Sequence, residues 1–381
     1  MKKRDANLDL IRSVAVLSVI SIHSFLNNGF YYEPVQGSSM FWGCVLRSMS
    51  MICVPLFLML TGYLMSTSKV DWNRLSEEAE GNVFRMAYQL YKGLGKTLGT
   101  YFLCNTVILC YIMLAKKELL SPYQIVTNYT SFDQYAWYIE MYIGLYLLIP
   151  FLNLIYQGVP NEKAKKVLLA VLILLTTAPS LINSFDLSSR TGLIHPSMSQ
   201  HTSILIPDWW ISLYPVTYYF LGAYIREKRE KIKDGIGKNA LLLIAAMLLF
   251  GVYCWYRSIG TCFVDGKWCD WGGYINMIDT VLIFLLLLRI PMDGAPKALK
   301  WVLEWISKLS LGMYLLSWIF DQRYYSRLNS AVAVVPERIA YYPLMVLAVF
   351  GTSAMLSLAV YHIQKWIVLA WRTIRGNGKR S

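Results

Sequence analysis

The chain of 381 residues is 56% hydrophobic and only 15% charged, with a mean hydropathy of +0.42, 13 Trp and 27 Tyr. No water-soluble core of this size needs so much apolar sequence, so composition excludes an ordinary soluble enzyme and implies a membrane protein. The formal charge of +13 does not point to nucleic acid, because the Lys and Arg residues lie in short loops between apolar runs, the pattern of membrane topology.

Ten stretches are long and apolar enough to cross a bilayer as helices of roughly 20 residues. They fall at about 8–28, 41–66, 88–115, 135–157, 165–184, 209–226, 238–257, 273–290, 301–321 and 339–371. The expected fold is therefore all-α: a polytopic membrane protein with about ten transmembrane helices in a single membrane domain, residues 1–381, with a short basic tail from about 372. The first segment is too long, and too charged at its deep end, for a cleaved signal peptide, so it is read as retained. The third and last exceed what a bilayer requires and are expected to tilt or project into water.

Orientation follows from the basic residues. Lys2, Lys3 and Arg4 share a side with Lys69, Arg74 and Arg85, with Lys163, Lys165 and Lys166, with the cluster from Arg226 to Lys238 that includes Lys233, with Arg289, Lys297 and Lys300, and with Arg372, Arg375, Lys379 and Arg380. The opposite loops are poor in bases, so both termini are predicted cytoplasmic. The longest outer loop, about 185–208, carries Asp186, His195, His201 and Asp208 and leads into Trp209 and Trp210, which read as an interfacial aromatic belt in preference to a sugar-stacking platform, as do Tyr135, Trp137 and Tyr138.

The first segment, LDLIRSVAVLSVISIHSFL, carries both Arg12 and His23. Eleven positions are close to three helical turns, so both side chains leave one face, roughly 16 Å apart along the axis. Ionisable groups at such depth are costly, by about 2.5 to 3.5 kcal/mol for Arg on insertion scales, and by default they face the protein interior and mark function. Histidine suits proton transfer near neutral pH, while arginine stays charged and serves to pair or orient. Asp9, three residues before Arg12, is the expected ordinary partner. Glu140 is an intramembrane carboxylate on an apolar helix and a candidate for the same reason, with His23, Arg47 or Arg289 as partners. Asp279, Glu304 and Asp321 rank below it, being nearer the ends of their segments. Arg85, Lys92 and Lys96 with Gly93 and Gly95 offer cations and free backbone N–H groups at the cytoplasmic start of the third segment, suited to phosphate.

Five cysteines lie within or at the ends of apolar segments and read as small hydrophobes, whereas Cys262 and Cys269 share an outer loop where a disulfide is permitted. No Cys/His cluster has zinc spacing, so no metal is expected, and neither GxSxG nor HExxH occurs.

Several runs together carry a family resemblance. LDLIRSVAVLSVISIHSF has an arginine, ten residues, then a histidine; VPLFLMLTGYLM (54–65), WYIEMYIGLYLLIP (137–150), FLGAYI (220–225) and SKLSLGMYLLSWIF (307–320) follow in order. The chain resembles the acyltransferase 3 family of membrane acyltransferases nearly end to end. The resemblance implies ten helices, transfer of an acyl group, usually acetyl, from cytoplasmic acetyl-coenzyme A as co-substrate, and a hydroxyl acceptor on a surface or lipid-linked carbohydrate of a bacterial cytoplasmic membrane. It implies His23 as base or transient acyl carrier, Arg12 as organiser of the site, and Lys92 and Lys96 with Arg85 near the donor. Partners would be the bilayer, the glycan acceptor and polysaccharide-synthesis proteins. Two departures stand out: Ser317 occupies the place of a late histidine, and YKGLGKTLGTYF replaces the family's Arg-x-x-Arg. Buried His, Arg and Glu would equally suit a transporter or flippase without covalent chemistry, and the departures would suit an inactive scaffold.

Overall fold

A computed structural model describes residues 4–130, 135–199, 201–232 and 235–377. Lys2, Lys3, Lys233, Lys379 and Arg380, named above for orientation, lie outside the described residues. In chain order the helices are α1 (Ala6–Asn27), α2 (Gly37–Ser50), α3 (Cys53–Met65), α4 (Trp72–Glu78), α5 (Val83–Tyr91), α6 (Leu94–Ala115), α7 (Pro122–Thr130), α8 (Trp137–Gly158), α9 (Glu162–Thr176), α10 (Ala178–Ile182), α11 (Arg190–Ile194), α12 (Tyr214–Glu227), α13 (Ile236–Ser258), α14 (Tyr274–Arg289), α15 (Lys297–Ala331), α16 (Val335–Arg338) and α17 (Tyr342–Asn377). Each of the ten expected segments is mainly helical, and no strand is formed among the described residues beyond two isolated bridges. Six spans are long and apolar enough to cross a membrane: Ala6–Asn27, Gly37–Met65, Leu94–Ala115, Trp137–Gly158, Ile236–Ser258 and Val335–Ala370. At about 1.5 Å per residue, α9, α12 and α14 are each shorter than a hydrocarbon core of roughly 30 Å, so the count of ten spans rests on sequence alone.

Three boundaries depart from expectation, each for a local reason. The second segment is divided at Met51 and Ile52, because Pro55 lacks an N–H and its ring crowds the carbonyl four residues back. The third is divided at Lys92 and Gly93, and here Gly93 sits where a β-carbon would come within 2.6 Å of the Tyr146 hydroxyl. The ninth runs on to Ala331, ten residues past its expected end, because polar residues on a face packed against α1 do not stop a helix.

Two of the runs that carried the resemblance meet each other. Gly62 of α3 and Gly222 of α12 each lie against the other helix's backbone, so a methyl group on Gly62 would fall on the Tyr219 carbonyl and one on Gly222 on the Met59 carbonyl. Small residues let helix backbones approach this closely in a membrane, where apolar burial supplies no driving force between helices. Tyr219 then donates to Asn153 Oδ1 of α8 (2.7 Å), whose Nδ2 donates to the carbonyls of Met65 (2.9 Å) and Ser68 (3.1 Å).

α1 is central. It packs against α15, α3, α14 and α17 and buries Ile11, Ala15, Val16, Ile20 and Phe25 fully. Asp5 caps it by accepting from Asn7 N (3.0 Å) and also pairs with Arg229. On the opposite side, the connection after α1 is stitched to the loop between α13 and α14: Val35 N donates to the Thr261 carbonyl (2.8 Å) and Gly260 N to the Val35 carbonyl (3.2 Å). In the 185–208 loop, Asp186 accepts from the hydroxyls of Ser188 (2.5 Å) and Ser199 (2.8 Å), which hold its carboxyl down at about 2. Trp209 and Trp210 are exposed, as an interfacial belt requires.

Candidate active site

His23 and Arg12 open onto one cavity of about 310 Å³. Val19, Ile22 and His23 contribute its α1 wall, Phe57 and Leu60 of α3 face them, Trp137, Tyr138 and Tyr142 come from α8, and Ser310 and Tyr314 from α15. The α13–α14 loop closes the far end with Asp265, Asp270 and Trp271. The cavity thus reaches from the first turns of α1 to the loop beyond its last.

His23 is 8% exposed, and its ring packs on Tyr135 (centroids 4.3 Å) and Tyr314 (6.0 Å). Its Nδ1 lies 3.9 Å from Asp321 Oδ2 and makes no hydrogen bond. That oxygen instead accepts from the Tyr135 hydroxyl (2.6 Å), which is also 2.8 Å from Ser317 Oγ, and Ser317 Oγ lies 2.8 Å from the Tyr314 carbonyl. Asp321 is fully buried with Oδ1 unpartnered. Asp321 thus stands on the Nδ1 side of the ring without bonding to it, and Nε2 is the nitrogen on the other side. Ser317, at the place of the late histidine, therefore reaches the His23 neighbourhood through Tyr135.

Arg12 departs from its expected partner. Asp9 is taken by Arg4, whose Nε and Nη2 donate to its two oxygens (2.6 and 2.7 Å), while Arg12 Nη1 donates to Ser307 Oγ of α15 (2.8 Å). Most of the Arg12 donors consequently remain for a ligand in the cavity it lines.

The other sequence candidates are placed differently. Glu140 is exposed on the outer side of α8 and does not line the cavity, because Tyr138 and Tyr142 take the inward face and Glu140 sits about 160° away around the helix. Neither proposed cation reaches it: Arg47 pairs with Asp265 and Arg289 donates to the Ile232 carbonyl (2.7 Å). Arg85 is exposed on α5 and pairs with Glu80 (3.0 Å). Lys92 and Lys96 are exposed at the α5–α6 break, and Thr97, one residue past Lys96, lines the cavity, so this basic segment borders it. Cys262 and Cys269 are both free: Cys262 is exposed, while the buried Cys269 donates its thiol toward Asp265 Oδ1 and the Gly266 carbonyl (both 3.4 Å).

Over residues 5–373 the chain matches the family model described as an acyltransferase domain, that of acyltransferase 3. The chain belongs to the acyltransferase 3 family. No curated protein and no solved structure matches it. As a multi-pass membrane acyltransferase, it carries the arginine and histidine of its first helix on one wall of one cavity.

Sequence reasoning ranked Asp321 low because its segment was expected to end there; with α15 continuing to Ala331, Asp321 lies well inside the helix. Arg47 was considered only as a partner for Glu140, and Asp265, Asp270 and Trp271 carried no signal of their own. Arg47, an arginine within an apolar run, was the available signal.

Proposed function

We propose that this acyltransferase moves an acetyl group from cytoplasmic acetyl-coenzyme A to a hydroxyl of a cell-surface or lipid-linked carbohydrate, at a bacterial cytoplasmic membrane and alongside polysaccharide-synthesis proteins. The observation that carries this reading is the single cavity onto which both Arg12 and His23 open. Its volume is at the lower end of the range for small-molecule sites. It suits the acylated arm of a donor meeting one sugar ring, with the donor nucleotide left outside near Lys92 and Lys96.

In the proposed step His23 Nε2 removes the proton from the acceptor hydroxyl as its oxygen attacks the thioester carbonyl carbon. The new C–O bond forms, the C–S bond breaks, and His23 returns the proton to the departing thiolate. Ester and free thiol are the products, and His23 ends as it began. Arg12 anchors the donor arm through the guanidinium N–H groups that Ser307 does not use.

The test uses purified protein in nanodiscs with radiolabelled acetyl-coenzyme A. Wild type should release free thiol, and Arg12→Ala should raise the donor KM about tenfold, the loss of one charge-assisted contact. Failure of the wild type to bind or turn over the donor overturns the reading. Orientation has its own check: a membrane-impermeant maleimide should label Cys262 on intact cells and lose that label in Cys262→Ser. Labelling only after the cells are opened would place the α13–α14 loop in the cytoplasm and reverse the topology.

A further inference from the structure

The two ends of the cavity differ in charge. Arg12 stands at one end; at the other, Asp265 and Asp270 stand with Trp271, Trp137 and Tyr31, and His23 lies between. Arg47 is the cation of the loop end, 2% exposed, and three of its five donors are committed. Its Nε donates to the Tyr31 hydroxyl (3.1 Å), Nη1 to the Cys269 carbonyl (3.3 Å) and Nη2 to Asp265 Oδ1 (3.0 Å), while the guanidinium carbon lies 4.6 Å from the Phe263 ring centroid. A guanidinium so occupied fastens the loop and has little left for an anionic ligand.

Asp265 is thereby neutralised, but Asp270 is not. One of its oxygens accepts from Trp271 N (2.7 Å), and no basic side chain among the described residues forms an ion pair with it. Beside it the Trp271 and Trp137 rings pack at 5.5 Å and 35°. Aromatic faces with a few convergent hydrogen-bond acceptors suit a ring that is apolar on its faces and hydroxylated at its edge. His23, nine-tenths buried and with Nδ1 lacking a hydrogen bond, lies on the wall of this same cavity.

From this arrangement we infer that the loop end of the cavity is the acceptor subsite, with Trp137 and Trp271 as its platform and Asp270 as its selector, and that it takes neutral or cationic hydroxylated rings and rejects anionic ones. The inference rests on the acyl-transfer reading for the identity of its ligand. The carboxylate discriminates by repulsion: a second negative charge placed beside Asp270 meets an unfavourable interaction, and Arg47, the nearby cation, is already paired with Asp265.

Three soluble pyranosides that differ mainly in charge test it: methyl glucoside, glucosamine and glucuronate. They are offered to the protein in nanodiscs with acetyl-coenzyme A, and in parallel without donor, where the readout is the shift in unfolding temperature each sugar causes. Wild type should use glucuronate at least about tenfold less efficiently than methyl glucoside. Asp270→Asn should bring that ratio close to one, and Trp271→Ala should raise the KM for methyl glucoside about tenfold while changing kcat much less. Equal use of glucuronate and methyl glucoside by wild type, or an unchanged ratio in Asp270→Asn, overturns the inference while leaving acyl transfer intact. Absence of thiol release with every sugar defeats acyl transfer instead, and the charge selection is then read from the unfolding shifts. No shift with any of the three sugars and no transfer to any of them removes the subsite.

Discussion

His23→Ala is expected to lower acyl transfer by about 10²- to 10⁴-fold, the range typical of a positioned general base. The fold should persist, because the His23 side chain makes no hydrogen bond and truncation leaves only the gap beside Tyr135 and Tyr314. Monodispersity in detergent checks that point. Imidazole added to the variant separates a proton-transfer role from a structural one, since the vacated space opens onto a cavity. Recovery of thiol release with imidazole supports the base, and full activity in His23→Ala without it would sink the mechanism. Asp321→Asn probes the buried carboxyl that stands 3.9 Å from His23 Nδ1. A positioning role predicts a smaller loss, about 10- to 100-fold, together with a displaced pH profile, whereas a packing role would lower stability and leave the profile where it was.

The largest stability effect should come from the α3–α12 contact. Gly62→Ala or Gly222→Ala places a methyl group on the facing backbone carbonyl, and backbone cannot turn aside as a flexible side chain can. Each substitution is expected to cost about 3 kcal/mol or more, the upper part of the overpacking range, and to lower the unfolding temperature in detergent sharply. Gly351→Ala in α17 is the internal control, because a β-carbon there meets nothing within 4 Å and the helix gains by losing a glycine, by about 0.5 to 1 kcal/mol. Equal behaviour of the three variants would show that the two helices do not approach as closely as described.

Much of this architecture was legible in the sequence because a bilayer enforces it. Long apolar runs must become helices, and an arginine and a histidine eleven positions apart must share a face, so the Arg12–His23 wall of the cavity could be read directly. What could not be read was angular position on other helices and reach across space. Glu140 looked equivalent to His23 in composition, yet it lies on the opposite side of α8 from Tyr138 and Tyr142, and nothing in a run apolar all round shows which side is inward. Asp9 was the near neighbour of Arg12 in sequence, but Arg4 reaches it with two bonds, and Ser307, 295 residues away, takes the arginine. The loop-end residues Asp265, Asp270 and Trp271 escaped because a loop's value lies in where it folds back, and the α13–α14 loop is placed by pairing with Val35 and by Arg47, both distant in the chain.

α15 touches α1 at both levels of the cavity, through Ser307 at Arg12 and through Asp321 at His23. Two parallel helices that meet at two separated levels, one bonded and one packed, brace each other: sliding one along the other would disturb both contacts at once. Because Arg12 and His23 stand on one continuous helix braced in this way, the spacing between them is a set dimension of the molecule. On the acyl-transfer reading proposed above, exchange of the two substrates would then fall to the elements outside this pair, the α5–α6 break on one side and the α13–α14 loop on the other.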